Sequence, residues 1–424
     1  MSEIQKQESL EIKYIAEKVM QLLGITDVEQ FSDTLLNKLL SDDKNAFFDE
    51  YFNLVGDTER DLIQDIYSNL LADRKGLKQD YTPPSLSRQV AEIACYNTKE
   101  VPFEVNSCYD ACAGSGSLTL QVYKMNPDCY FYLEELDTNV IPFLLFNLTY
   151  RNCNAELING NILMKERYKV YKLKRNSKYS DIEVIECKDN WYEIPKTDIA
   201  ISNPPFNLHY KFNKDKFPEL VGKVSKGMGD DLFIMNCFNQ TKENGRTVVI
   251  ESCGLLFNNQ FQNFREHICD NDYLDTLILN PDNMFENTAI PTITMFLNKK
   301  KEAPGEYKFI HAGNLGFFLK NGHTRYKSGS GDSKCHTNRV YEKKYNAYDD
   351  EHIEEILDCI YFGGGSLFLT LKEKDKIKQG YLMTNCDLDY IKQNDYNINT
   401  TRYESEPIRT NRGCLYKENH LAFS

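Results

Sequence analysis

The chain has 424 residues, 41% of them hydrophobic, and a formal net charge of −13 at pH 7. That is enough apolar chain for a large core in two or three domains; no apolar run can span a bilayer and no secretory pattern opens the chain, so a cytoplasmic protein with no membrane partner is expected. Thirteen cysteines without paired Cys-x2-Cys spacing point to buried thiols in a reducing compartment and to no metal, and the acidic balance excludes tight unaided binding to nucleic acid, whose affinity comes from phosphate contacts.

In chain order, residues 1–78 pattern as a helical domain: in Phe31–Leu40 and Asp61–Tyr67 apolar side chains recur at spacings of three and four. Such a domain serves either as a structural cap or as a surface for partner subunits or a nucleic acid. Asp80-Tyr-Thr-Pro-Pro84 separates it from an alternation of strands and helices, as in a doubly wound α/β sheet, over residues 79–310. There, Phe103–Tyr109 reads as a buried strand, Asp110-Ala-Cys-Ala-Gly-Ser-Gly116 as a tight glycine turn and Ser117–Met125 as a helix. Strand, turn and helix in that order bring backbone close to a ligand at a helix N-terminus. A lone Gly-x-Gly also occurs in purely structural loops, but the next strand, Cys129–Glu135, ends in a carboxylate nineteen residues after Gly116. An acid about 20 residues beyond such a turn is placed to grip ribose hydroxyls. Glu134 points to the opposite face and reads as solvated. The turn has neither the phosphate-binding Gly-x4-Gly-Lys-Ser/Thr loop nor the third glycine of the dinucleotide fingerprint. It begins with Asp110, whose negative charge suits a cation, and S-adenosylmethionine is such a ligand, with a sulfonium, an amino group and an adenosine.

Further along, Ala155–Ile158 is a short strand followed by Gly160-Asn161, and residues 165–175 interleave tyrosines with five more basic than acidic side chains. A second basic cluster holds His323, Arg325, Lys327, Lys334, Arg339, Lys343 and Lys344. Either both are solvated loops, or they supply the phosphate contacts that the overall charge opposes. Between them the apolar strand from Asp198 runs into Asn203-Pro204-Pro205-Phe206. Prolines fix φ and lack an N–H, so the loop is stiff and its carbonyls are free to accept. The Asn203 side-chain oxygen and the Pro204 carbonyl can each take one hydrogen of an exocyclic amine, localising a lone pair otherwise spread into the ring, while Phe206 stacks on the base. Positioning and charge stabilisation are then the main contributions. Residues 311–424 form a C-terminal extension with a Ser-Gly loop at 328–331, a helical run Asp350–Leu357 and a turn at Gly363–Gly365.

These blocks resemble, in order, those of an amino-methylating DNA methyltransferase, and more narrowly the methylation subunit of a type I restriction-modification system. The resemblance rests on Asp80–Pro84, Asp110–Gly116, Asn203–Phe206, the long stretch formed by Gly245–Phe257, Leu279–Phe285 and Thr288–Ile293, and an echo at Asn394–Tyr403. It implies a Rossmann-like S-adenosylmethionine-dependent sheet. It also implies that Thr82 and Pro83 lie beside the methionine part of the cofactor, that Asp110, Gly114 and Gly116 form the turn under it, and that Glu135 binds the ribose. Asn161 stands where the family usually has Asp against the adenine amino group, and can still accept through its oxygen. Ala111 replaces a usual proline, and Cys112 sits one place before the common cysteine.

The implied activity is adenine-N6 methylation of DNA, with the target adenine flipped out of the duplex. The short C-terminal extension leaves little room for a target-reading domain, so sequence reading is expected from a specificity subunit in a hetero-oligomer, with a restriction subunit as a further partner. Phe257 and Phe285 stand as wall or core residues. Methylation of RNA or of protein glutamine, and a non-catalytic cofactor-binding subunit, remain open.

Overall fold

The computed structural model describes residues 14–56, 63, 82–285, 290–312, 346–362, 369–373, 376–380 and 383–399. The alternating strands form one mixed sheet with helices on both faces. Its parallel centre holds β1 (Ser107–Asp110), β2 (Tyr130–Glu135), β3 (Asn154–Asn161), β6 (Thr197–Ser202) and β7 (Thr241–Ser252). β4 (Glu166–Lys174) and β5 (Asp181–Glu186) add an antiparallel hairpin beyond β3. On the other side β9 (Thr292–Asn298) runs antiparallel between β7 and β8 (Leu274–Leu279), followed by β10 (Glu306–Ile310) and β13 (Met383–Asp387). Among the described residues the order is β13-β10-β8-β9-β7-β6-β1-β2-β3-β4-β5, and a separate hairpin pairs β11 (Leu369–Glu373) with β12 (Lys376–Gly380).

The strands are short apolar runs because both faces are covered. On β1, Cys108 joins the core that includes α4 (Pro84–Cys95), α5 (Ser117–Met125) and α6 (Ile141–Tyr150), whereas Tyr109 joins the core of α7 (Asp230–Gln240) and α8 (Gln262–Asp270). α9 (Asp350–Phe362) packs on the first face, and α10 (Leu388–Gln393) contributes Leu388, Tyr390 and Ile391 to the second.

N-terminal residues 14–23 (α1), α2 (Phe31–Leu39) and α3 (Lys44–Val55) are helical, as the apolar spacing requires. They bury an aromatic seam against α6: Phe31 stacks on Phe143 with ring centroids 5.4 Å apart, and Phe48 lies 5.1 Å from Phe146 and 4.8 Å from Tyr179. Each such pair adds about 0.5–1.5 kcal/mol beyond its buried area. α3 stops at Gly56, whose φ of +71° lets its N–H return to the Phe52 carbonyl at 2.7 Å. Apart from Ile63, the stretch Asp61–Tyr67 lies outside the described residues, as do the second basic cluster, the Ser-Gly loop, Gly363–Gly365 and Thr401–Tyr403.

Residues 165–175 are not a solvated loop. Most of them form β4, which pairs antiparallel with β3 on one side and β5 on the other. Most cations of the stretch are neutralised in place: Arg167 pairs with Glu134 at 3.0 Å, Lys169 with Glu186 at 3.0 Å, Lys172 with Glu156 at 3.1 Å and Arg175 with Asp128 at 2.6 Å, while Lys174 is exposed. Glu134 is likewise not solvated. It is buried, accepts from Arg167 Nε and Nη2 at 3.0 Å each and accepts from the Tyr109 hydroxyl at 2.7 Å. A carboxylate on the inner face of β2 has no access to water, so it is held by a charge partner.

Candidate functional site

The chain leaves β1 in one direction, through α5 to β2 and β3, and leaves β6 in the other, through α7 to β7. Where neighbouring strands part like this, a crevice opens beyond their C-terminal ends. Asp110 is the last residue of β1 and pairs with Ile201 of β6, so Asn203 sits two residues past it on the adjacent strand. The two sites read from the sequence therefore share one edge of the sheet.

On the β1 side, the Asp110 carboxyl is fully buried and accepts from the Cys112 N–H at 3.3 Å and the Thr119 hydroxyl at 3.1 Å. Burial pushes it up to about 7, with the nearby Glu135 charge adding to the rise and its hydrogen bonds opposing it. Gly114 and Gly116 turn the chain at φ +55° and +102°. A Cβ at Gly116 would lie 2.9 Å from Leu144 Cδ1 on α6, while one at Gly114 would meet nothing within 4 Å. Gly116 is thus demanded by packing as well as by φ, and Gly114 faces open space. The Gly114 N–H donates to Glu135 at 2.8 Å, and the Asp137 N–H donates to the other oxygen of that carboxylate at 2.8 Å. Burial raises the Glu135 pKa above its ordinary value against these two bonds.

On the β6 side, Ser202 and Pro204 are buried and Asn203 and Pro205 half-buried. The Asn203 amide donates to the Thr82 hydroxyl at 2.8 Å, and the Thr82 carbonyl accepts from the Ser117 hydroxyl at 3.1 Å. Ser117 opens α5 and also meets the Ser87 hydroxyl at 3.0 Å. One threonine therefore joins the amide loop to the helix behind the glycine turn. Phe206 is buried, with Phe285 edge-on to it at 5.8 Å and 85°. Phe257 instead is 43% exposed.

Asn161 ends β3, and its side-chain oxygen accepts from the Met164 N–H at 3.2 Å, capping a 3-10 turn over Ile162–Met164. A carbonyl oxygen has a second lone pair, so this cap leaves one direction for a further donor. Cys108 is buried and Cys112 half-buried, both free thiols.

Sequence reasoning missed three neighbours. Leu136, directly after Glu135, is 50% exposed, and the Asn159 amide, 3.1 Å from the carbonyls of both Glu135 and Leu136, holds that bend. An apolar residue beyond a strand-ending acid was a readable signal. Asp230, in the first turn of α7, is wholly buried and accepts from the N–H groups of Asn207 at 2.7 Å and Leu208 at 3.2 Å, pinning the left-handed residue after Phe206. Glu251, near the end of β7, is also wholly buried; burial, then the charges of Asp230 and Asp231, push its carboxyl well above the usual range. Only the fold brings these carboxylates together, so no local signal marks them. Among the described residues no cluster of His, Cys, Asp and Glu could hold a metal, and no helix is long and apolar enough to cross a membrane.

The profile of the N-6 DNA methylase family matches residues 58–411. Among characterised proteins, the chain is similar to the type I restriction enzyme MpnII methylase subunit of Mycoplasma pneumoniae, 22% identical over 422 residues, covering 95% of this chain and 64% of that one. It is also similar to the type I restriction enzyme MjaVIII methylase subunit of Methanocaldococcus jannaschii, 25% identical over 357 residues and covering 80% and 52%. The chain thus spans between about half and two thirds of the length of these relatives. In three dimensions the type I restriction-modification methyltransferase subunit of Streptococcus thermophilus superposes with a TM-score of 0.58 at 21% identity, covering 86% of this chain and 65% of that one. At that identity the likeness shows a common fold, the Rossmann-like methyltransferase sheet.

Proposed function

The chain belongs to the N-6 DNA methylase family, and from that premise we propose that it methylates the N6 amine of adenine in DNA, as the modification subunit of a type I restriction-modification system. The observation that carries the reading is the Thr82 bridge, which ties Asn203 at 2.8 Å to the start of α5 behind the glycine turn. An amine-holding loop and a turn suited to a cationic nucleoside are useful together only when the group one holds reacts with the ligand of the other.

The residues present fit S-adenosylmethionine. Gly114 leaves open space above the turn, Glu135 lies at the end of β2 where ribose hydroxyls would reach, and the exposed Leu136 offers an apolar face to a purine. When bound, that cofactor supplies an electrophilic methyl group on a sulfonium. Asp110 and Glu135 place negative charge near it, Thr82 and Pro83 flank its methionine end, and Asn161 accepts from its adenine amine.

The chain's own work is to bind and orient the target. The Asn203 amide nitrogen donates to Thr82, and the acceptors of this reading are its side-chain oxygen and the Pro204 carbonyl. Together these acceptors take the two amine hydrogens and localise the lone pair on nitrogen. Pro204 and Pro205 keep the loop from relaxing. Phe206, braced edge-on by Phe285, replaces the stacking that the flipped base loses, worth ~1–3 kcal/mol. A specificity subunit reads the sequence, with residues 311–424 as the region that binds partners and residues 1–78 as a helical domain beside residues 79–310.

The test is tritiated methyl transfer to DNA, RNA and protein by the chain in its native assembly. DNA is expected to be labelled at adenine N6. Asn203→Ala should lower transfer by at least about 10²-fold with cofactor affinity largely kept. Label in RNA or protein alone, or an Asn203→Ala variant as active as the wild type, would sink the proposal. An assembly that binds cofactor but labels nothing would favour the non-catalytic reading.

A further inference from the structure

Phe206 is followed by a segment, residues 207–229, with five lysines against one aspartate and one glutamate in a chain whose net charge is −13. It is a held projection and not a slack loop. Its two limbs pair through Tyr210 N–H to the Gly227 carbonyl at 3.0 Å, Phe212 N–H to the Lys226 carbonyl at 3.0 Å and Gly229 N–H to the Leu208 carbonyl at 2.9 Å, with a bridge between His209 and Met228. Asp230 fixes its base through Asn207 and Leu208, and the Tyr210 hydroxyl ties its flank to the Leu163 carbonyl at 2.6 Å, just past β3. The projection therefore stands over the edge of the sheet that carries the candidate site.

Its charge is left over in a way that the β4 charge is not. Lys216 reaches Glu166 at 3.9 Å, and Glu219 is taken by Lys165 at 3.1 Å. Lys211, Lys214, Lys223 and Lys226 make no ion pair among the described residues, and all but the half-buried Lys223 are exposed. Asp215 is the remaining acid of the segment and is exposed at its tip. Folding thus cancels most of the basic stretch that the sequence made conspicuous and leaves a different one standing beside the crevice.

We infer that the projection 207–229 is the surface that grips the DNA phosphate backbone next to the flipped adenine, through Lys211, Lys214, Lys223 and Lys226. The inference rests on the methylation reading above and adds to it the place where an acidic protein meets a polyanion. Fixed backbone pairing holds the four lysines on one short projection, so their charge is gathered where phosphates can replace their counterions. The contact carries no sequence information, which agrees with delegating that task to a partner.

The experiment measures binding of a duplex by fluorescence anisotropy between low and physiological salt, using the chain purified in its native assembly. Each phosphate contact contributes ~0.9 to the slope of log K against log salt. Replacing all four lysines with Gln is therefore expected to reduce that slope by up to about 3.6, while calorimetry shows unchanged cofactor affinity. The fourfold Arg variant should keep the slope, and Lys169→Gln with Lys172→Gln on β4 should not alter it. An unchanged slope in the Gln variant of an assembly that still methylates DNA overturns this inference and leaves the methylation reading standing. A wild-type assembly that methylates no DNA overturns both, and one that prefers an RNA duplex at every salt reassigns the surface.

Discussion

Asp110 shows how far a side chain's chemistry is set by its surroundings. The same carboxyl on an exposed loop would ionise near its ordinary value; here burial, with Glu135 beside it, holds the group at about 7. A cation prefers the ionised form, so cofactor affinity should rise as pH climbs towards 7, by up to about tenfold per unit, and level off above. Calorimetric titration from pH 5.5 to 8.5 checks this, with Asp110→Asn as the control that should lose the slope; a flat wild-type profile would remove Asp110 from the cofactor's charge environment. Asn203, Pro204, Pro205 and Phe206 stand out in the sequence because a stiff acceptor-rich loop is written in consecutive residues. Glu134 was not legible, because nothing near it in the chain announces Arg167, 33 residues away, as its partner.

The turn between β1 and α5 separates two kinds of glycine. Gly116 needs both its φ of +102° and the absence of a Cβ against the buried Leu144, whereas Gly114 needs only its φ of +55° and faces open space. Gly116→Ala should therefore cost about 1–3 kcal/mol of stability, and Gly114→Ala less, about 1 kcal/mol, while weakening cofactor binding. Thermal melts with calorimetric titration of both variants distinguish them; equal losses of stability would contradict the difference in packing. Strand and helix identities were readable wherever a two- or three-to-four-residue period persisted, as in α2, α5 and β2. β4 escaped because its lysines and tyrosines carry no clean two-residue period, and its pairing with β3 and β5 is what makes it a strand.

Taken as one body, the protein buries several acids behind and beside its crevice, and three of them have raised pKa values that bear on stability. Asp110 and Asp231 are both pushed up to about 7 by burial, and Glu251 stands well above its usual range. A carboxyl with a raised folded pKa binds its proton more tightly in the native state. Its contribution is complete below the unfolded value near 4 and is lost as pH rises towards the folded value. Stability should therefore fall between about pH 4 and pH 7, on the order of a few kcal/mol, and change little above from these two aspartates. Asp198, lowered by Lys242 and Ser107 against its burial, acts in the opposite sense but only below about pH 4. Calorimetric melting from pH 5 to 8 on the wild type and Asp231→Asn is the check: the variant should show a shallower decline, and a wild-type melting temperature that rises across the window would contradict the buried acids.

Residue order alone settled that an acceptor-rich loop, a glycine turn and a ribose-spaced acid occur in one chain, since each is built from neighbours along the backbone whose dihedral and hydrogen-bonding preferences act within a few residues. Folding settled which of these meet and which charges survive. Thr82 reaches Asn203 across 121 positions, Asp230 pins the turn after Phe206 from 23 positions downstream, and Lys169 and Lys172 of β4 are cancelled while Lys211, Lys214, Lys223 and Lys226 make no ion pair among the described residues. Desolvation and ion pairing depend on distances through space, and those are fixed only when the strands take their order in the sheet.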